Sequence, residues 1–302
     1  MKILKSAFII FCFFSVKYFS GCGNEDIQTN SSPRADYTQI DFEPSLSNDN
    51  QKLIYAHSDI DFELTGIYLY NFTTKADSLI INAQANCPDW SPDEKWIVFS
   101  LNNLLVKIKS DGDSQTVISG TGKNFYPKWC DDRSKIAYSD MDCGISGNCG
   151  VYVINSSGDD KTLIESGCNF PDWTDSGSTL IYFKPLKDGS GNHNGDSLIK
   201  YSLINNTRLG ITEFSGDDHT INSYINFSGN EVFFCSTSKT GYSYIYKYNI
   251  SQHSLIKLTI SQGWSPEISF YSDKIIYTNR NPGNGRLWIM NKDGSNPHHL
   301  NY

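Results

Sequence analysis

Apolar residues recur along this chain in short alternating runs, not at the three- and four-residue spacing of an amphipathic helix, so the pattern after residue 21 predicts strands. Six strand cores stand out: Ile54-Tyr55, Val98-Phe99, Ala137-Tyr138, Ile181-Tyr182, Phe233-Phe234 and Ile276-Tyr277. Eleven residues before the aromatic of each core stand Pro44, Pro88, Pro127, Pro171, Ser223 and Pro266, and two residues after that position come Leu46, Trp90, Trp129, Trp173, Ile225 and Ile268. A repeat at a period of roughly 20 to 50 residues marks a propeller, solenoid or array. Between the Trp position and the aromatic core lies a turn-rich segment, clearest in Ser91-Pro92-Asp93-Glu94-Lys95, so the two strands form a hairpin.

A third strand follows in each unit, at Ile67 to Tyr70, Leu105 to Ile108, Val151 to Ile154, Leu198 to Tyr201, Tyr244 to Tyr248 and Leu287 to Met290. Turns such as Asp111-Gly112, Gly158 and Asp293-Gly294 lead to a fourth, for example Gln115 to Ser119 or Lys161 to Ile164. The expected fold is therefore all-β: a six-bladed β-propeller over residues 37–302, with four antiparallel strands per blade. The cause is burial, because a twisted sheet with two apolar faces is covered only by a neighbour on each side. The ring is expected to close between blades 1 and 6 by packing alone, with Tyr37 to Phe42 as an additional strand there.

Pro88-Asp89-Trp90-Ser91-Pro92-Asp93-Glu94-Lys95-Trp96-Ile97-Val98-Phe99 resembles the WD-like repeat of the TolB-like propellers, a repeat found also in the first domain of prolyl oligopeptidases. The resemblance covers residues 40 to 302 and speaks for fold, not function. That family's N-terminal α/β domain, which contacts other Tol proteins, has no counterpart in the short segment before blade 1. Blade 5 departs most, with Ser223 for proline and Ile225 for Trp.

Lys2 and Lys5 precede an apolar run from Ala7 to Val16, and Phe19-Ser20-Gly21 then leads into Cys22. This is the layout of an export signal, and it resembles a bacterial lipoprotein signal over residues 1–21 whose cysteine, Cys22, is lipidated. A plain secretory signal cleaved nearby is the alternative. Residues 22–36 hold too little apolar surface to fold and read as a flexible tether. Gly23-Asn24-Glu25-Asp26 lacks the usual inner-membrane retention residue, which implies the outer membrane. Loss of residues 1–21 removes Lys2, Lys5 and Lys17 and no acid, taking the formal charge from −8 to −11. So acidic a protein repels phosphate backbones, and a nucleic-acid partner is excluded.

Cys143 and Cys149 flank a five-residue loop in blade 3 and are expected to pair; a loop this short contributes about 2 to 3 kcal/mol. Cys87 and Cys168 precede the proline position in blades 2 and 4, which leaves a bridge across blade 3 open, while Cys130 and Cys235 are placed on strands and buried. No thiol or histidine spacing predicts a metal site, and no cofactor motif is present. The repeated Asn after the third strand (Asn71, Asn155, Asn249, Asn291) makes three glycosylation sequons that turn chemistry explains more simply. Gly263-Trp264-Ser265-Pro266-Glu267 lacks the last glycine of a nucleophile elbow and coincides with the blade repeat.

The loops joining blades and those joining the second and third strands share one face, the usual ligand face of a propeller. Candidate residues on it are His57, Asp59, Asp61 and Glu63 in blade 1, His193 in blade 4, Asp217, Asp218 and His219 before blade 5, and Arg280 with Arg286 in blade 6. They form no catalytic constellation recognisable from spacing. The leading expectation is a monomeric, non-enzymatic envelope propeller that holds a protein or glycan. A lyase or hydrolase using acids with His57 or His219 in the central funnel is the runner-up, and a Tol-Pal accessory role rests on fold resemblance alone.

Overall fold

The computed structural model describes residues 39–59, 64–143, 149–175, 177–215, 220–237, 243–259, 268–271, 273–279 and 286–300. They form six four-stranded antiparallel sheets, each a meander of strands consecutive in the chain. Blade 1 holds β1 to β4 (Gln39–Leu46, Lys52–Asp59, Gly66–Asn71, Ala76–Ile81) and blade 2 holds β5 to β8 (Ala85–Trp90, Trp96–Leu101, Leu104–Lys109, Thr116–Ser119). Blade 3 holds β9 to β12 (Asn124–Trp129, Lys135–Asp140, Gly150–Asn155, Thr162–Ser166), and blade 4 holds β13 to β16 (Asn169–Trp173, Thr179–Lys187, His193–Ser202, Thr207–Ser215). Blade 5 holds β17 to β20 (Thr220–Ser228, Glu231–Thr237, Ser243–Asn249, Ser254–Lys257), and blade 6 holds β21 to β24 (Ile268–Tyr271, Lys274–Asn279, Arg286–Asn291, His298–His299). The six first strands touch in sequence round the axis, from β1 through β5, β9, β13 and β17 to β21 and back to β1. The protein is a six-bladed β-propeller.

Strand alternation builds the core. Each blade's second strand sends one set of residues back to the preceding blade and the other forward to the next. Phe99 joins the apolar cluster between blades 1 and 2, while its neighbour Val98 joins the one between blades 2 and 3. Tyr138 faces blade 2, Tyr182 blade 3, Phe234 blade 4 and Tyr277 blade 5, all fully or nearly buried. The recurring aromatic is therefore the residue that each blade packs against its predecessor. Tyr55 obeys the same rule across the closure, packing with Leu53 and Tyr70 against Ile276, Leu287 and Leu300 of blade 6. Among the described residues no strand is shared there: the seam holds by this cluster and by the Leu46 N–H donating to Ser269 Oγ at 3.2 Å.

The fixed-offset proline has a backbone cause. In blades 1 to 4 the residue before it, Glu43, Cys87, Tyr126 and Phe170, has φ between 53° and 58°. At the same place the ladder between first and second strands skips register. Proline has no N–H to give to a ladder, so a bulge is where an inner strand tolerates it. Because one strand runs through this bulge, Gln39 to Phe42 form the outer half of β1, not the separate closing strand expected from the sequence.

Ser47 and Ser91, one residue past the Trp position, tie the following turn. The Ser91 hydroxyl accepts the Trp96 N–H at 2.9 Å and donates to Asp93 at 2.8 Å, and Ser47 does the same with Lys52 and Asp49. Cys130 occupies this position in blade 3: it lies one residue beyond β9 instead of on a strand, and its sulfur accepts the Lys135 N–H at 3.1 Å. The post-strand Asn residues tie the outer turns likewise, Asn71 Oδ1 accepting from Thr73 and Thr74, and Asn155 Oδ1 from Ser157 and Asp159.

Candidate functional site: the central channel and its rim

The first strands line the channel, and the bulge divides it into two levels. At the bulge itself, the backbone N–H of Cys87 donates to Glu43 Oε2 and its thiol to Oε1 at 3.3 Å, joining blades 1 and 2. The ring of Tyr126 lies 4.7 Å from that of Phe170. Cys87 and Tyr126 also pack against the cluster between blades 5 and 6, on the far side of the axis. Side chains therefore fill the channel at this level.

Just past the prolines sits a polar level built by Ser45, Asp89, Lys128 and Asp172. Lys128 Nζ lies 3.6 Å from Asp89 Oδ1, Ser45 Oγ donates to the same oxygen at 3.3 Å, and the Trp129 N–H donates to Oδ2 at 2.8 Å. Burial pushes the Asp89 carboxyl up, with Lys128 pulling against it. For Lys128, burial disfavours the charge, but the attraction of Asp89 and then Asp172 outweighs it and keeps the ammonium protonated. These charges hold neighbouring blades in register. Sequence reasoning missed them, although each stands between the proline and Trp positions of its blade, a place where a charge on an inner strand is itself a signal.

On the rim, His57 Nδ1 lies 2.5 Å from Asp41 Oδ1, with Tyr68 edge-on to the imidazole at 5.4 Å. Asp59 is tied by the Leu64 N–H and the Thr65 hydroxyl, both at 3.3 Å. His193, at the start of β15, has Nε2 3.2 Å from Asp196 Oδ2, and this hydrogen bond raises its pKa against the opposing effect of burial. In blade 3 Asp140 accepts the Lys123 and Asp142 N–H groups at 3.0 Å and sits 3.7 Å from Lys161 Nζ. Arg286 is half-buried at the start of β23. His57 and His193 thus belong to different blades, each tied to its own carboxylate. Asp61, Glu63, Asp217, Asp218, His219 and Arg280 lie outside the described residues, as do Cys22 and the segment 263–267.

Cys143 and Cys149 are joined by a disulfide across residues 144–148, which lie outside the described residues. Cys87 and Cys168 are not disulfide-bonded and lie buried in different clusters, so they do not bridge blade 3. Burial pushes the Cys168 thiol up to about 12. Among the described residues no group of three or more His, Cys, Asp or Glu side chains is placed to hold a metal ion.

The sequence matches no known family profile and no curated relative. Solved structures are similar at the level of fold. TolB from Agrobacterium tumefaciens aligns with a TM-score of 0.61 and 19% identity over 76% of this chain and 86% of its own. TolB from Acinetobacter baumannii gives 0.61 and 16% over 85% of this chain, which spans 62% of that protein. Oligogalacturonate lyase from Vibrio parahaemolyticus gives 0.57 and 14% over 84% and 91%. With the blade order and the bulged inner strands in place, the chain is a six-bladed β-propeller similar in fold to the TolB structures.

Proposed function

We propose that the protein is a non-enzymatic propeller of the bacterial envelope, held at the outer membrane by a lipid on Cys22 and a tether over residues 22–36, whose rim holds a protein or glycan partner. The observation that carries this reading is that the histidines and carboxylates described on the rim are already tied within the protein: His57 with Asp41, Asp59 with Thr65, His193 with Asp196 and Asp140 with Lys161. A general acid or base needs a proton-transfer partner in the substrate, whereas a rigid platform gains from such internal ties. The fold likeness to TolB supports an envelope setting.

A photo-crosslinking residue placed at Lys123, exposed on the rim beside Asp140, tests the platform in intact cells; the reading expects a discrete adduct, and its absence in both growth and stationary phase counts against it. Cys22→Ala tests the anchor, since the variant should move from the membrane to the soluble fraction. A second reading, lyase or hydrolase, is favoured by the Asp41–His57 pair beside Tyr68 together with the likeness to oligogalacturonate lyase. It expects release of unsaturated or reducing sugar ends from polyuronate that disappears in His57→Gln.

A further inference from the structure

On the opposite face, where the first-to-second and third-to-fourth strand turns lie, two shallow grooves of about 250 and 230 Å³ flank blade 2, and the Trp96 side chain lines both. Trp96 starts β6 and is directly paired with Lys109 of β7, so its position is set by a sheet and not by a loop. Lys107 Nζ stands 5.1 Å from the indole centroid, held there by donating to the Ser156 carbonyl of blade 3 at 2.6 Å. Arg133 closes one groove from blade 3, with Nη1 3.1 Å from Asp93 Oδ2; exposed Lys95 and Lys109 border the other, with Asp111. Four cations thus surround one indole against two carboxylates, in a chain whose formal charge is −8.

The three structural tryptophans spend their indole N–H on the fold: Trp90 donates to the Ser45 carbonyl, Trp129 to Arg133 and Trp173 to Lys128. Among the described residues Trp96 makes no such bond; its half-buried ring packs in part on the cluster between blades 2 and 3, has Lys107 over it, and lines both grooves. Apart from the two indoles, of Trp96 and Trp129, the lining is Ser, Asp, Lys and Arg. Such a lining offers no apolar hole for a peptide anchor, and protein interfaces are depleted in lysine. It suits a ligand with flat C–H faces, many hydroxyls and negative charge.

We propose that this surface is a binding site for an anionic saccharide, one ring stacking on Trp96 and its neighbours lying in the two grooves, with Lys95, Lys109 and Arg133 reading the charge. The site is separate from the rim and does not depend on the rim's having a partner. The test is isothermal titration of the full-length protein in detergent with tri-mannuronate, mannose 6-phosphate, neutral maltotriose and hexaglutamate. Binding of either anionic sugar, at least ten-fold tighter than maltotriose and weakened by salt, is the expected result, and the tighter of the two identifies the charged group. Lys95→Glu with Lys109→Glu, two exposed positions, should lower affinity at least ten-fold at an unchanged thermal midpoint, and Trp96→Phe should lower it several-fold. Equal binding of maltotriose or hexaglutamate, no binding of either anionic sugar, or full affinity in the double variant would overturn the proposal. A cross-link at Lys123 would be unaffected by these variants, which separates this site from the rim.

Discussion

Cys130 shows how one residue's role is decided by its place in a repeat. It stands where blades 1 and 2 have Ser47 and Ser91, and its sulfur accepts the Lys135 N–H and donates to Asp132 at 2.8 Å. That bond, with those from Ser134, holds the Asp132 carboxyl down at about 2. Cys130→Ser keeps both contacts and should change the thermal midpoint little, whereas Cys130→Val, which leaves the turn N–H without an acceptor, should cost about 1–3 kcal/mol. Because the folded pKa of Asp132 is depressed, its stabilisation is present above the unfolded value near 3.9 and fades as pH falls toward 2; the valine variant should lose the Cys130 share of that acid-side dependence in unfolding scans, with the Ser134 share retained. His193 works with the opposite sign. Its pKa is raised by Asp196, so the stabilisation is complete below about 6.5 and is lost as pH rises through the folded value. Asp196→Asn should lower the His193 midpoint in an NMR titration and flatten stability between acidic and alkaline buffer.

Among elements, the third strands of blades 1, 3 and 4 carry a demand that only glycine meets. Gly66 and Gly150 open β3 and β11 and Gly195 is the third residue of β15, and a Cβ there would lie 2.1, 2.3 and 2.1 Å from the carbonyl oxygens of Ile81, Glu165 and Phe214 in the fourth strand. At Gly195 the φ of +128° adds backbone strain for any other residue. Gly195→Ala should therefore destabilise by about 1–3 kcal/mol or more, read as a lowered denaturation midpoint with an unchanged m-value. The inner strands pose a matching problem, solved by the bulge before proline. Its period was visible in the sequence; that the preceding residue turns to φ near 55° and fills the channel was not, because an offset carries no dihedral angle.

For the whole molecule, closure is the distinctive feature. Among the described residues blades 1 and 6 meet without a shared strand, so the seam depends on Leu53, Tyr55 and Tyr70 against Ile276, Leu287 and Leu300. Leu53 is fully buried there, and Leu53→Ala should cost about 2–5 kcal/mol. The loss should be local as well as global: hydrogen exchange should quicken first in β1, β2 and β22, while the blade 3 ladder stays protected. Strand cores, blade number, the proline offset and the Asn turns were all legible in the order of residues, because alternation and turn chemistry are local properties that repeat. The histidines and loop acids were legible only as candidates. That His57 faces a carboxylate, and that Asp41, Glu43 and Lys128 belong with the candidates, depends on chain segments from 16 to 44 residues apart meeting in space, whereas His193 meets Asp196 within one strand. The same holds for Trp96: its sequence place marks it as one more blade aromatic, and only the pairing of β6 with β7 and the packing of blade 2 against blade 3 surround it with cations and leave it half-buried beside the two grooves. Local pattern thus determined what the blades are, while the charges that meet between blades were decided by ring closure, since pairing energies depend on distance in space and not on separation along the chain.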